Sequence, residues 1–246
     1  MEKIALVSGA AGGVGRAVAA RLAADGWQLV LVSRDGARLR DAYGDKHLQI
    51  AADCSSVAGV RQIFERIGAN GMQVTALAHC VGNIRLGAMH RMAEKDFMDC
   101  LNANLISAFH TLAGFVGSLR DARAAGAAVL VSSAAARIGT TNHEAVAAAK
   151  AGLEGLVRGA AATYASAGIR INAVAPGIMD TPAAAGLIGA AAGRAAAARQ
   201  YPLPGIGTPD ELAELMVWLL SEQAARVTGQ VWSLDGGFSS IRPLVK

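Results

Sequence analysis

Aromatic residues are scarce: Phe, Trp and Tyr make up 4% of the 246 residues. Hydrophobic residues still reach 53%, with 29 glycines and much alanine. Small side chains suit close packing of helices on a sheet better than the interior of a β-sandwich. Cysteine is also scarce. Cys54, Cys80 and Cys100 form no CxxC pair, which argues against a disulfide framework or a zinc knuckle. They are expected to be packing residues in a reducing compartment, and no metal is predicted. No apolar run approaches the ~18 residues of a membrane span. Only four apolar residues, Ile4 to Val7, separate Lys3 from Ser8. That run is too short for a secretory leader, so a cytoplasmic protein is expected. Nor is there a block of like charge. The formal net charge of +4 is scattered, whereas a nucleic-acid binder gathers its cations into a patch or stripe.

What the chain does contain is alternation. Apolar runs at Ile4–Val7, Gln28–Val32, His47–Ala51, Val74–Ala78, Ala127–Val131, Arg170–Val174 and Val231–Leu234 read as strands. Between them lie helical patterns at Arg16–Asp25, Asp35–Arg40, Val57–Ile67, Ala93–Leu119, Asn142–Tyr164 and Glu211–Leu220. About seven strands alternating with helices predict an α/β, Rossmann-type doubly wound parallel sheet with helices on both faces. No linker, repeat or shift in composition divides the chain, so residues 1–246 are expected to form a single domain. Ala183 to Ala198 is almost entirely Ala and Gly. It is expected to form a lid, residues 183–200, over a substrate.

The stretch Ser8-Gly9-Ala10-Ala11-Gly12-Gly13-Val14-Gly15 follows the first strand and opens the first helix. A helix N-terminus offers unpaired N–H groups and partial positive charge to a pyrophosphate. Glycines let the backbone come close. The spacing of Gly9, Gly13 and Gly15 is Gly-x3-Gly-x-Gly, and it predicts dinucleotide binding. About twenty residues on, the second strand ends in Ser33-Arg34. An acid there would accept from ribose hydroxyls. A small Ser followed by Arg suits a 2′-phosphate instead, so NADP(H) is favoured over NAD(H).

These features together resemble the short-chain dehydrogenase/reductase family, and the resemblance spans essentially the whole chain. Asp53, with Cys54 beside it, stands where the family has an Asp near the adenine. His79-Cys80-Val81-Gly82 replaces the usual Asn-Asn-Ala-Gly, keeping only Gly82. Asn104 is similar to the family's helix-borne active-site Asn, and Ser133 to its substrate-orienting Ser. Lys150 matches the Lys of the family's Tyr-x-x-x-Lys. Pro176, Gly177, Ile178 and Thr181 resemble the nicotinamide-side loop, and Thr228-Gly229 and Asp235-Gly236-Gly237 the C-terminal signature. The resemblance implies an oxidoreductase acting on a carbonyl/alcohol pair, similar to 3-oxoacyl carrier-protein reductases, on a small-molecule or acyl-thioester substrate. It also implies a homotetramer, with a mixed oligomer containing a Tyr-bearing paralogue as the alternative.

One side chain departs from the pattern. Val146 stands four residues before Lys150, where the family has its catalytic Tyr. The three tyrosines, Tyr43, Tyr164 and Tyr201, lie elsewhere. Reducing a carbonyl creates an alkoxide that needs a proton, and losing a general acid costs ~10²–10⁴ in rate, about 3–5 kcal/mol. On an ideal helix His143 would lie about 20° from Lys150 and about 60° from Val146. It is therefore a candidate donor, an imidazole ionising near neutrality. A water held by Ser133 and Lys150 is another. A silent NADP(H)-binding module and a non-redox use of the fold, as a dehydratase or isomerase, stay open.

Overall fold

The computed structural model describes residues 3–242; the ends of the 1–246 span expected above lie outside the described residues. Seven strands form one parallel sheet: β1 (Ile4–Ser8), β2 (Gln28–Ser33), β3 (Leu48–Ala51), β4 (Ala76–His79), β5 (Gly126–Val131), β6 (Ile169–Pro176) and β7 (Val231–Leu234). Their order is β3-β2-β1-β4-β5-β6-β7. The chain reverses direction across the sheet between β1 and β4, so a crevice opens at the carboxyl ends of those strands. β1 and β5 are buried along nearly their whole length, as expected of parallel strands covered on both faces.

Side-chain alternation divides the core in two. Leu6, Val30, Val32, Leu77 and Leu130 face one apolar layer. There they meet α3 (Val57–Ala69), the helix α5 (Ser107–Ala122) and α6 (Glu144–Tyr164), through Ile63, Phe115, Leu119 and Leu153. Ala5, Val7, Leu29, Leu31 and Val129 face the other layer. It is formed by α1 (Gly13–Ala24), α2 (Gly36–Tyr43) and α9 (Pro209–Leu220), through Val18, Leu22, Leu39 and Met216. The expected doubly wound sheet with helices on both faces is the observed one.

Several element ends differ from expectation, each for a local reason. β3 starts at Leu48 because His47 has φ +68, outside the strand region. α1 starts at Gly13, three residues earlier than the apolar spacing suggests. The stretch 93–119, expected as one or two long helices, is α4 (Glu94–Leu101), one π-helical turn (Asn102–Ile106) and then α5. The segment expected to be a lid, residues 183–200, contains two short helices, α7 (Ala185–Ile188) and α8 (Ala191–Ala198). Among the described residues no helix is long and apolar enough to cross a membrane. No group of three or more His, Cys, Asp or Glu is placed to hold a metal.

Candidate active site

The phosphate loop is shaped by close backbone approach. Gly9 has φ +74, and a Cβ there would sit 2.8 Å from the carbonyl carbon of Cys80. A Cβ on Gly15 would run into the Gly9 carbonyl. The loop is thereby pressed against the end of β4. The N–H groups of Gly13, Val14 and Gly15 open α1 with no helical acceptor. The loop is propped from behind by Tyr43, whose hydroxyl donates to Ala10 O at 2.7 Å. Burial pushes that hydroxyl up to about 12. This cradle fits the pyrophosphate of a dinucleotide. Ser8 does not face it: its side chain is buried and bonded to His79.

At the end of β2, Ser33 Oγ accepts from Asp35 N at 3.3 Å. The Asp35 carboxylate accepts from Ala37 N and Arg38 N at 3.0 and 3.1 Å, so its charge is spent capping α2. Arg34 is exposed and enters no ion pair among the described residues. Arg38 adds a second guanidinium, reaching Ala11 O of the phosphate loop at 3.3 Å. The position of Arg38 four residues after Arg34, in the first turn of α2, was the signal available for it. Asp53 Oδ1 accepts from Ser55 N and Oγ at 2.9 and 2.8 Å. The Cys54 thiol is buried in the core and pushed up to about 11 by that burial, which leaves only the Cys54 backbone open to a ligand.

Two of the polar residues expected to act, Asn104 and Lys150, converge on Gly82. A Cβ there would lie 2.7 Å from Asn104 Oδ1 and 3.4 Å from Lys150 Nζ. Asn104 is fully engaged. The two protons of its Nδ2 are shared among Cys100 O (2.9 Å), Asn83 O (3.1 Å) and Asn83 Oδ1 (2.9 Å), and its Oδ1 accepts from Asn83 N (3.3 Å). Lys150 Nζ donates to Val131 O at 2.7 Å. Burial lowers its pKa to about 8. Two residues past Val131, Ser133 Oγ accepts from Ala135 N at 3.2 Å, leaving its own proton free to bond outward. Val146 packs into an apolar cluster with Cys100, Ala145, Met92 and Phe97.

Among the described residues His143 shares no hydrogen bond with Asn104, Ser133 or Lys150. It stands at the N-cap of α6, with φ −104 and ψ 15, so the helical angle reckoned from the sequence does not set its direction. Its Nδ1 donates to Thr141 O at 2.8 Å. That bond leaves Nε2 as the ring atom able to exchange a proton.

Pro176 and Gly177 lead off β6 into the expected nicotinamide-side loop. Thr181 lies over the phosphate loop: a Cβ on Gly13 would be 3.0 Å from Thr181 Cγ2. Ile178 N is spent, donating to the Tyr201 hydroxyl at 2.7 Å. Met179 N has no partner among the described residues and is the donor this loop leaves open. Nothing in the sequence pattern marked Tyr201 as the anchor of this loop. Arg194 of α8 pairs with Asp180 at 2.6 Å, tying that helix to the same loop. On the other side of the site, Ser132 Oγ donates to the buried Glu154 at 2.9 Å. Arg137 pairs with Glu154 at 3.4 Å and donates onward to Val231 O of β7 at 2.9 Å.

Comparison with known proteins agrees with this geometry. The family model described as enoyl-(acyl carrier protein) reductase matches residues 9–239. The chain is 35% identical to cis-4-hydroxycyclohexanecarboxylate dehydrogenase of Sinomonas cyclohexanicum, covering 98% of each chain. It is 32% identical to the 3-oxoacyl-(acyl-carrier-protein) reductase FabG of Escherichia coli K12, covering 96% of each. Among solved structures, ligand-free aldohexose dehydrogenase of Thermoplasma acidophilum superposes with a TM-score of 0.90 at 26% identity, over 100% of this chain and 97% of that one. The chain belongs to the short-chain dehydrogenase/reductase family. Its relatives are named as dehydrogenases and reductases, and a solved structure that shares this fold, ElxO, holds NADP.

Proposed function

We propose that the protein is an NADP(H)-dependent oxidoreductase for a carbonyl/alcohol pair, resembling 3-oxoacyl reductases, whose proton donor is not a tyrosine. The observation that carries this reading is the convergence of Lys150 Nζ and Asn104 on Gly82, with Ser133 two residues past the carbonyl that Lys150 holds. The bound cofactor supplies or removes the hydride. Gly13, Val14 and Gly15 hold its pyrophosphate, and Arg34 and Arg38 its 2′-phosphate. Asp53 and the Cys54 backbone border the adenine. Pro176, Gly177, Ile178 and Thr181 flank the nicotinamide side, where Met179 N donates. Ser133 Oγ–H donates to the substrate oxygen and orients it. Lys150, with a pKa near 8, carries a proton at working pH that it can release through a water shared with Ser133. His143 delivers one through Nε2 only if a substrate brings its oxygen out to the rim. The lid, residues 183–200, closes over a small-molecule or acyl-thioester substrate.

The second reading is a silent NADP(H)-binding scaffold or sensor. The apolar packing of Val146 against Cys100, Met92 and Phe97 favours it. Assembly as a homotetramer, or as a mixed oligomer with a Tyr-bearing paralogue, is supported by exposed Met98 and Phe109 on α4 and α5. A cytoplasmic site of action agrees with three free cysteines.

NADPH oxidation by the purified chain, tested on 3-oxoacyl thioesters, diketones and aldehydes, is the deciding assay. Turnover with any of them is the expected result. NADPH binding without turnover on the whole panel, by the chain alone, would refute the reductase reading and leave the scaffold.

A further inference from the structure

A buried chain of hydrogen bonds runs from the phosphate loop to the turn that carries Asn104. Ser8 and His79 face each other across β1 and β4, at the point where the strand order reverses. Ser8 Oγ lies 2.8 Å from His79 Nδ1, and His79 Nε2 lies 3.2 Å from Ser107 Oγ. Ser107 Oγ lies 2.7 Å from Ala103 O. None of the three side chains touches solvent.

The direction of each bond follows from proton counting. A carbonyl only accepts, and Ser107 has one hydroxyl proton. Its short contact with Ala103 O takes that proton. Ser107 Oγ must then accept from His79, which places the ring proton on Nε2. His79 Nδ1 is therefore an acceptor, and the Ser8 hydroxyl donates to it. The wire reads Ser8 O–H to Nδ1, Nε2–H to Ser107, and Ser107 O–H to Ala103 O. A second ring proton would face a hydroxyl already donating inward. Burial and the positive charge of Lys150, the charged group acting on the ring, push its pKa down to about 3. The neutral ring is the one that fits.

Ala103 and Asn104 belong to the π turn Asn102–Ile106. Such a turn shifts the backbone bonding pattern by one residue, and Ser107 fastens it by bonding the Ala103 carbonyl. We propose that His79 is a positioning residue: through Ser8 and Ser107 it fixes the π turn, and so Asn104, relative to the phosphate loop. It touches neither substrate nor cofactor. Its effect on catalysis rests on the reductase reading; its effect on the turn does not.

Two measurements on the full chain test this. In ¹⁵N spectra of the imidazole rings, with the His79 signal assigned by its loss in His79→Asn, His79 should be a neutral Nε2–H tautomer from pH 8 to pH 5. A charged ring at pH 6, or an Nδ1–H tautomer, would overturn the proposal. In hydrogen exchange, His79→Leu should speed the amides of residues 103–108 at least tenfold and broaden the Asn104 side-chain amide. NADPH affinity should move less than threefold. His79→Asn, which keeps an acceptor for Ser8, should show a smaller effect. Unchanged exchange at 103–108 in both variants would overturn the proposal, as would a loss of NADPH binding equal to the loss of protection. Should His79→Leu fail to fold, the tautomer and His79→Asn decide. Where wild type turns over a carbonyl, kcat should fall with KM for NADPH unchanged. An inactive wild type counts against the reductase reading alone.

Discussion

Val146→Tyr puts a phenol one helical turn before Lys150, on the face of α6 that already carries the ammonium. Its consequences divide into a cost and a gain. Val146 is buried among Cys100, Ala145, Met92 and Phe97. Forcing a larger ring into that cluster costs about 1–3 kcal/mol by overpacking. At 2–4 °C per kcal/mol for a domain of this size, Tm should fall by about 2–12 °C. The gain comes if the ring turns toward Lys150, where the cation favours its ionised form. It then supplies the missing general acid. That is ~10²–10⁴ in kcat/KM, about 3–5 kcal/mol of barrier. The assay is NADPH oxidation with a 3-oxoacyl thioester, beside NADPH affinity and thermal unfolding of the same preparation. A folded variant that binds NADPH as wild type does, yet gains less than tenfold over a silent wild type, would refute the idea that Asn104, Ser133 and Lys150 form a latent reductase site. If wild type already turns over well, the gain shrinks and a native donor is present.

In that second case His143→Ala separates the donors. If His143 delivers the proton, turnover falls ~10²–10⁴ with cofactor affinity unchanged; unaltered turnover assigns the proton to the Lys150 side. Arg34→Asp should weaken NADPH about 10–150-fold, the value of one charged hydrogen bond of about 1.5–3 kcal/mol, while changing NADH binding less than threefold. An equal loss for both cofactors in titration would show that Arg34 does not read the 2′-phosphate. Lys150 ionises near pH 8 when folded against 10.5 as a free side chain. Between those values the unfolded chain holds more protons, so stability of the cofactor-free protein should rise with pH, by up to about 3 kcal/mol. Lys150→Met should lack that rise in denaturant melts at pH 8 to 10.5, and equal slopes would refute the shift.

Much of the frame is legible because local and global signals agree. The run Ile4–Val7, the glycines after it and the apolar spacing of Val18 and Leu22 announce strand, loop and helix together. Asp35 is readable as a cap, and its carboxylate accepts two N–H groups at the start of α2. The π turn is not legible, since apolar spacing runs from Leu101 through Leu112 without a break. What marks it is Ser107 bonding back to Ala103, and a lone serine in a helical pattern has many other uses. α6 begins two residues later than the Asn142 expected, with His143 as its N-cap. Asn142 has φ +63, a kink that periodicity does not report. Tyr201 and His79 act through partners far away in sequence, Ile178 and Ser107, which no spacing rule connects.

Arg137 gives the last strand a different meaning. Gln230 O and Leu234 O bond inward, to Ala173 N and Gly177 N. By alternation Val231 O points away from β6, and it is this outward carbonyl that the guanidinium occupies. An open strand edge is a template on which other chains can stack into fibrils. Here one position of that template is already filled by a charged side chain that Glu154 holds from behind.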